Sequence, residues 1–511
     1  MLAQTFSAAA LGVEAQPVEV EVDVVAGQPK EFLVGLPDAA VKEALQRIRA
    51  ALLNAGFTWP FNRRITFNLA PADMKKEGPV YDLPMALGLL AATEQMPAER
   101  IGNYVIAGEL ALDGRLRRVK GALLFALLAR KLGKQGVLVP PENAEEAAVV
   151  SDIEVFAPRT LAEAVGFLAG NAKLAPVRVD VQALFERPAL ETALDLADVK
   201  GQEHAKRALT VAAAGGHNLL MIGPPGSSKS MLAKRLAGIL PPFTLEEALE
   251  TTKVWSVAGA LRPHEALKVQ RPFREPHHTL SYAALVGGGI EPVPGEISLA
   301  HNGVIFLDEL PEFDRKAVES LRQPLEDRVI TISRVAGSAQ FPASIMLVAA
   351  MNPCPCGHFG DPKKKCKCNE FQIQRYMSRI SGPLLDRIDL HVEVPHVPYE
   401  DLSAREGRLN SATVRALVVQ AREQQRKRLG GSGTHSNAQM NERQVRDFCT
   451  SDAEGTQLLK NAVDALGFSA RSYGRILKVA RTIADLEGIE TITAEHISEA
   501  IQYRGLDRKR T

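Results

Sequence analysis

Lys229 and Ser230 end the run Gly223-Pro224-Pro225-Gly226-Ser227-Ser228. The run follows an apolar, strand-like stretch at 219–222 and precedes a helix-like MLAKRLAGIL. Gly223, Gly226, Lys229 and Ser230 fit the phosphate-loop pattern G-x-x-x-x-G-K-[ST], with Ser228 in place of its second glycine. Chemistry explains the spacing. Backbone N–H groups at a helix start face phosphate oxygens. Lys229 reaches the β and γ phosphates, and the Ser230 hydroxyl is a ligand for Mg²⁺. Taken alone, the stretch also reads as a Gly/Pro turn before a helix. A non-glycine residue at positive φ costs about 1 kcal/mol, so Ser228 is expected to weaken nucleotide binding without abolishing the fold.

Other residues supply the rest of a phosphoryl-transfer site. VIFLDE, residues 304–309, is an apolar strand ending in two acids. Asp308 would hold Mg²⁺ through water, and Glu309 would place the attacking water in line with the γ-phosphoryl group; a buried strand before a solvated acidic pair is the alternative. SIMLVAAMN, 344–352, is a further strand, and Asn352 at its end can orient that water or act as a turn-forming cap. Arg387 in PLLDRID can reach a neighbouring subunit's site, or pair locally with Asp386 or Asp389. Arg471 opens a helix at 469–485 that carries Arg475, Lys478 and Arg481 along one face. It can read the nucleotide, or belong to a solvated basic stripe.

A second chemistry lies in Cys354, Cys356, Cys366 and Cys368, paired C-x-C units on a Gly/Pro-rich excursion. Four thiolates suit one structural Zn²⁺ per chain. An iron–sulfur cluster, free thiols or a redox pair are the other readings, and His358 is an optional substitute ligand. Cys449 reads as a buried thiol. Lys363, Lys364, Lys365 and Lys367 lie in the same loop. Further basic runs are Arg422, Arg426, Lys427 and Arg428, then Arg508, Lys509 and Arg510. Any of these can meet DNA phosphates or only solvent. Segments 328–333 and 339–347 read as a hairpin around Arg334 and Gly337, and Arg334 is the first candidate for DNA contact.

The elements that must position these residues follow from pattern and length. The 511 residues allow several domains, and 61 basic against 60 acidic residues give no global pull toward nucleic acid. Five cysteines, four of them clustered, fit a metal site in a reducing cytoplasm rather than a disulfide framework. No apolar run of membrane-spanning length and no signal peptide is expected. Residues 1–170 read as one α/β domain, with strands at 18–25, 64–69 and 136–139 and helices at 38–53, 84–92 and 122–132. A linker at 171–194, an alternating strand–helix core at 195–395 and a mainly helical part at 396–511 follow. A flexible break is expected at 430–437.

The motifs GPPGSSKS, VIFLDE, AAMNPCPCG, LLDRID, FREPHHTLSYAALVGGG and SARSYGRILKVARTIADLEG resemble those of the magnesium-chelatase-related AAA+ ATPases, most closely the bacterial YifB/ComM family, along essentially the whole chain. The resemblance implies an α/β fold: an AAA+ P-loop core with a helix-2 insert, a pre-sensor hairpin and a four-cysteine loop (353–369), and a C-terminal helical lid. It makes 223–230 the ATP loop, Asp308 and Glu309 the second motif and Asn352 the first sensor. Arg387 becomes the finger acting in trans, and Arg471 the second sensor. The insert around Arg274, His277 and His278 is similar to a pore element. GPVYDLPMALGLLAA and the run after Gly108 resemble the Lon serine–lysine protease domain, with Met85 and Leu124 at the nucleophile and base positions. Neither can do that chemistry, so no proteolysis is expected. The family implies a homo-oligomer, most simply a hexameric ring, that moves single-stranded or branched DNA in branch migration or helicase action during recombination and transformation, together with recombination proteins. A protein remodeller, a chelatase-like metal-insertion subunit and a weakly hydrolysing scaffold are the alternatives.

Overall fold

The computed structural model describes residues 1–186, 194–289, 292–334, 337–362, 364–398, 409–431, 433–466 and 468–506. At the N-terminus, Leu2–Leu11 pairs antiparallel with Glu14–Ala26, from Leu2 opposite Asp23 to Leu11 opposite Glu14. Val18, Val20, Val22 and Val24 are buried on one face, as a period of two requires. These strands join a seven-stranded sheet ordered Lys30–Val34, Arg63–Ala70, Glu14–Ala26, Leu2–Leu11, Tyr104–Ile106, Gly136–Leu138, Glu154–Phe156. The Ala-rich Leu2–Leu11 is not legible as a strand in the sequence because its small residues give little alternation; ten cross-strand pairs make it one. Helix Ala39–Asn54 starts where the Asp38 carboxylate accepts from Val41 N–H, and it buries Val41, Ala44, Ile48, Ala51 and Leu52. Helix Asp82–Ala92 is buried along its length. A Cβ on Gly88 would fall 2.7 Å from Val22 Cγ2, so glycine lets that helix lie directly on the sheet. Met85 and Leu124 are core residues.

The second sheet is wholly parallel, ordered Phe273–Arg274, Val304–Leu307, Met346–Met351, Leu219–Ile222, Leu390–Glu393. Residues 304–307, 346–351 and 219–222 are buried without alternation, as strands covered on both faces must be. Strand Leu219–Ile222 lies between two strands that come after it in the chain. The crevice beyond its carboxyl end is therefore a topological switch point, where ligands of such sheets bind. One expectation needs correction. Residues 339–347 are not one strand: Gly337–Pro342 completes the hairpin with Val329–Arg334, and Met346–Met351 enters the central sheet. Phe273–Arg274 is the sheet's edge strand, and the Arg274 guanidinium is paired with Glu296 at 2.6 Å.

The C-terminal helices Ser411–Leu429, Glu442–Phe448, Ala453–Leu466, Ala470–Glu487 and Ala494–Gln502 share a core with the sheet, through Ile476, Ile483 and Ile497 on one side and Leu219, Val348 and Val392 on the other. The alternative of a solvated basic stripe on Ala470–Glu487 fails beyond Arg471, which is exposed. Arg475 pairs with Asp389, Lys478 donates to Ala438 O, and Arg481 pairs with Asp485. Arg422 is likewise buried, donating to the carbonyls of Ala213, Ala214 and His435, and Arg428 pairs with Asp485, so neither can meet DNA. Nor is 430–437 a plain break. Asn437 is buried and donates to Thr482 Oγ1 and Asp485 Oδ2, anchoring the chain, while Ser432 lies outside the described residues. Among the described residues no helix is long and apolar enough to cross a membrane.

Candidate functional site

Three strand ends meet at the 223–230 loop. Gly223 follows Ile222, and a Cβ there would lie 2.0 Å from Val394 O, so only glycine fits. Pro224 and Pro225 carry the turn forward. Gly226 has φ 78 and Ser228 has φ 73, so Ser228 does adopt the left-handed conformation that disfavours a side chain. Gln202 Nε2 donates to Pro395 O at 2.5 Å and approaches Ser227 O at 3.5 Å, bracing the loop from outside; no motif pointed to it. Helix Lys229–Ile239 begins directly after Ser228, and the N–H groups of its first turn have no helical partners.

Lys229 Nζ donates to Gly223 O at 2.7 Å and Pro224 O at 2.9 Å, and lies 3.4 Å from Asn352 Oδ1. Burial lowers its pKa, against the raising pull of Asp308 and Glu309. Ser230 Oγ donates to Asp308 Oδ2 at 2.5 Å. A hydroxyl and a carboxylate are hard oxygen donors and fit Mg²⁺. Glu309 has φ 54, and its N–H donates to Asp308 Oδ1 at 3.0 Å. That turn leaves its carboxylate half exposed, with Oε2 3.8 Å from His278 Nδ1. The REPHH run supplied the histidines, but nothing in the spacing connects them to Glu309, about thirty positions later.

Arg387 and Arg471 lie together rather than beside Lys229. Arg387 is buried, donates to Pro383 O at 2.8 Å and pairs with Glu326. Arg471, far more exposed, is 3.6 Å from the other oxygen of Glu326. The partner of Arg387 is thus neither Asp386 nor Asp389, because Asp389 is taken by Arg475. Glu326 sits on helix Arg322–Asp327, and no motif or spacing signals it.

The four cysteines converge, with every pair of sulfurs within 4.8 Å. Cys354 Sγ is 3.4 Å from Cys356 Sγ and 3.7 Å from Cys366 Sγ, and Cys356 to Cys366 is 3.6 Å. A tetrahedral Zn–S bond of about 2.3 Å implies edges of about 3.8 Å, so the donors and spacing fit zinc. His358 is not in that cluster: its Nδ1 is 3.1 Å from the buried Asp361 carboxylate, which His396 also approaches at 3.4 Å. Gly357 lies against the phosphate loop, where a Cβ would fall 2.6 Å from Pro225 Cδ. Lys364 and Lys365 are exposed, and Lys363 lies outside the described residues. Arg334 ends its hairpin strand, and its side chain also lies outside them, with Val335, Ala336 and residues 507–511.

Residues 195–402 match the family model "Magnesium chelatase, subunit ChlI", 20–143 match "Subunit ChlI of Mg-chelatase", and 408–504 match "Magnesium chelatase, subunit ChlI C-terminal". The chain is 48% identical over 509 residues to "Competence protein ComM" of Haemophilus influenzae, covering 99% of this chain and 98% of that one. It is 46% identical over 508 residues to "Uncharacterized protein YifB" of Escherichia coli, covering 98% and 96%. A 135-residue stretch is 27% identical to the Lon protease of Halothermothrix orenii, covering 25% of this chain and 17% of that one.

Proposed function

The chain belongs to the ComM/YifB family of magnesium-chelatase-related AAA+ ATPases, and from that premise we propose that it is a ring-forming ATP-driven motor on DNA, acting in branch migration or unwinding during recombination and transformation. The observation that carries the ATPase part is the convergence of Lys229, Ser230, Asp308, Glu309 and Asn352 at one crevice, through the Ser230–Asp308 and Lys229–Asn352 contacts. The loop N–H groups and Lys229 bind the triphosphate, with Lys229 leaving two carbonyls for the phosphate oxygens. Ser230 and Asp308 are the residues that would hold Mg²⁺, which supplies positive charge against the developing phosphoryl charge. Glu309 positions the attacking water and Asn352 orients it. Arg387 meets the nucleotide of the next subunit and is worth roughly 10³–10⁵ in rate if it acts as such a finger. That requires a homo-oligomer, most simply a hexamer.

Arg471 is read as the second sensor, on C-terminal helices that form the lid. The N-terminal sheet is read as a Lon-like domain without protease chemistry, and Cys354, Cys356, Cys366 and Cys368 as holding one zinc. Arg334 and Lys363–Lys365 are read as DNA contacts. The competence assignment rests on the name of the Haemophilus relative.

The test is ATP turnover of the purified chain with and without forked or four-way DNA. DNA-stimulated turnover and strand exchange, both abolished in Glu309→Gln, are expected. Turnover indifferent to every DNA but raised by a protein partner would replace this reading with a remodeller. No turnover with stable rings would leave a scaffold.

A further inference from the structure

We propose that the cysteine module carries a stacking surface for unpaired nucleic-acid bases, with Phe371 and Phe359 as the aromatic faces and Lys364, Lys365, Lys367 and Arg375 tracking the phosphates. The proposal rests on the DNA reading above and names the part of the molecule that contacts a single strand.

Phe371 is 70% exposed and Phe359 53%, the first just after Cys368 and the second between the two cysteine pairs. Phe371 is not a slipped core residue. On its helix, Glu370–Met377, Tyr376 and Met377 face the core that also holds Ile380, while Phe371 stays outside. Arg375 is four positions on from Phe371, hence on the same helical face, and is exposed. Lys364, Lys365 and Lys367 are exposed, and among the described residues none of these four cations makes an ion pair. Between 353 and 379 the only acids are Asp361 and Glu370. The Asp361 side chain is buried against His358 and His396, so it offers the lysines little neutralisation.

A solvated basic loop explains the lysines but not two phenylalanines left in water beside them. Cations that follow a backbone, interleaved with aromatic rings, are what single-strand binding uses, because every base has a face to stack. The occupant is therefore a single-stranded nucleic acid rather than a duplex, whose bases are already stacked. In the same module Gly357 lies against Pro225 of the phosphate loop.

The experiment is fluorescence anisotropy of the full chain with labelled dT30 and with an abasic 30-mer of equal charge. The wild type is expected to bind dT30 roughly tenfold or more tightly than the abasic strand. Phe359→Ala/Phe371→Ala should lose that preference while keeping the abasic affinity, and Phe359→Trp/Phe371→Trp should retain it. Lys364→Ala/Lys365→Ala/Lys367→Ala should weaken both strands and shallow the logarithmic salt slope by about 2. Thermal melting and metal content of each variant report its folding. Full dT30 affinity in the double alanine variant overturns the proposal, as does loss of preference in the tryptophan variant. Equal wild-type binding of both strands overturns it while leaving a DNA motor standing. No binding of either strand removes both. An altered sedimentation coefficient with unchanged dT30 affinity would assign the surface to contacts between copies instead.

Discussion

Ser228 holds φ 73 at the head of helix Lys229–Ile239, where the phosphate-loop pattern has glycine. The strain, about 1 kcal/mol, was readable from one departure in one motif, because the loop's geometry is local. Ser228→Gly is expected to raise the melting temperature by a few degrees and to raise ATP affinity or turnover a few-fold; calorimetry and steady-state kinetics read both. Unchanged values would mean that the loop tolerates the serine without strain. The neighbours of the other site residues were not legible. Glu309 meets His278, and Arg387 shares Glu326 with Arg471. Those partners are set by which segments pack together, whereas closeness in sequence offers Arg387 only Asp386 and Asp389.

At the scale of elements, apolar runs announced the central strands, whereas pairing decided where they end. Pro342 closes the hairpin register opposite Val329, and the chain then leaves for the parallel sheet at Met346. The cysteine excursion has little apolar content of its own, and its four sulfurs lie too far apart for disulfides of about 2.05 Å but at the edges of a zinc tetrahedron. Elemental analysis is expected to give one zinc per chain. Because Gly357 leans on Pro225, stripping the metal with a chelator should both lower the melting temperature and weaken ATP binding, and resupplied zinc should restore both. Protein purified without chelator that contains no zinc would sink this reading.

At the scale of the whole molecule, the N-terminal sheet and the ATPase core are joined at helix Leu245–Ala258. Ser256 Oγ donates to Glu146 Oε1 at 2.6 Å, Leu123 N–H donates to the same oxygen at 3.0 Å, and Gly121 N–H donates to Ser256 O at 3.2 Å. The turn of the first hairpin also reaches the hairpin of Val329–Arg334 and Gly337–Pro342, since a Cβ on Gly12 would meet Gln340 O at 2.8 Å. Burial pushes the Glu146 carboxyl above the ordinary glutamate range, against the lowering pull of Ser256, Leu123, Arg118 and Asn143. With its folded pKa raised, the group's stabilising contribution is complete below the unfolded value and is lost as pH rises through the folded one. Glu146→Gln keeps the acceptor oxygen and cannot ionise, so denaturant melts should show it gaining on the wild type as pH rises, with the two converging in acid. Glu146→Ala should lose about 1–3 kcal/mol at every pH by stranding the Leu123 N–H and the Ser256 hydroxyl. A Gln variant whose advantage does not change with pH would reject the buried charge as its cause.

The sequence by itself determined the phosphate loop, the acidic strand end, the four-cysteine donor set and the family, because each is written in residues a few positions apart whose backbone geometry is nearly dictated by type and spacing. Only the tertiary structure decided that Arg481 and Arg422 are buried, that Arg387 and Arg471 share one carboxylate, and that the cysteine module leans on the phosphate loop. Those outcomes depend on segments tens to hundreds of residues apart. A buried charge takes whichever opposite charge or carbonyl the packing brings near, and sequence distance carries no record of that choice.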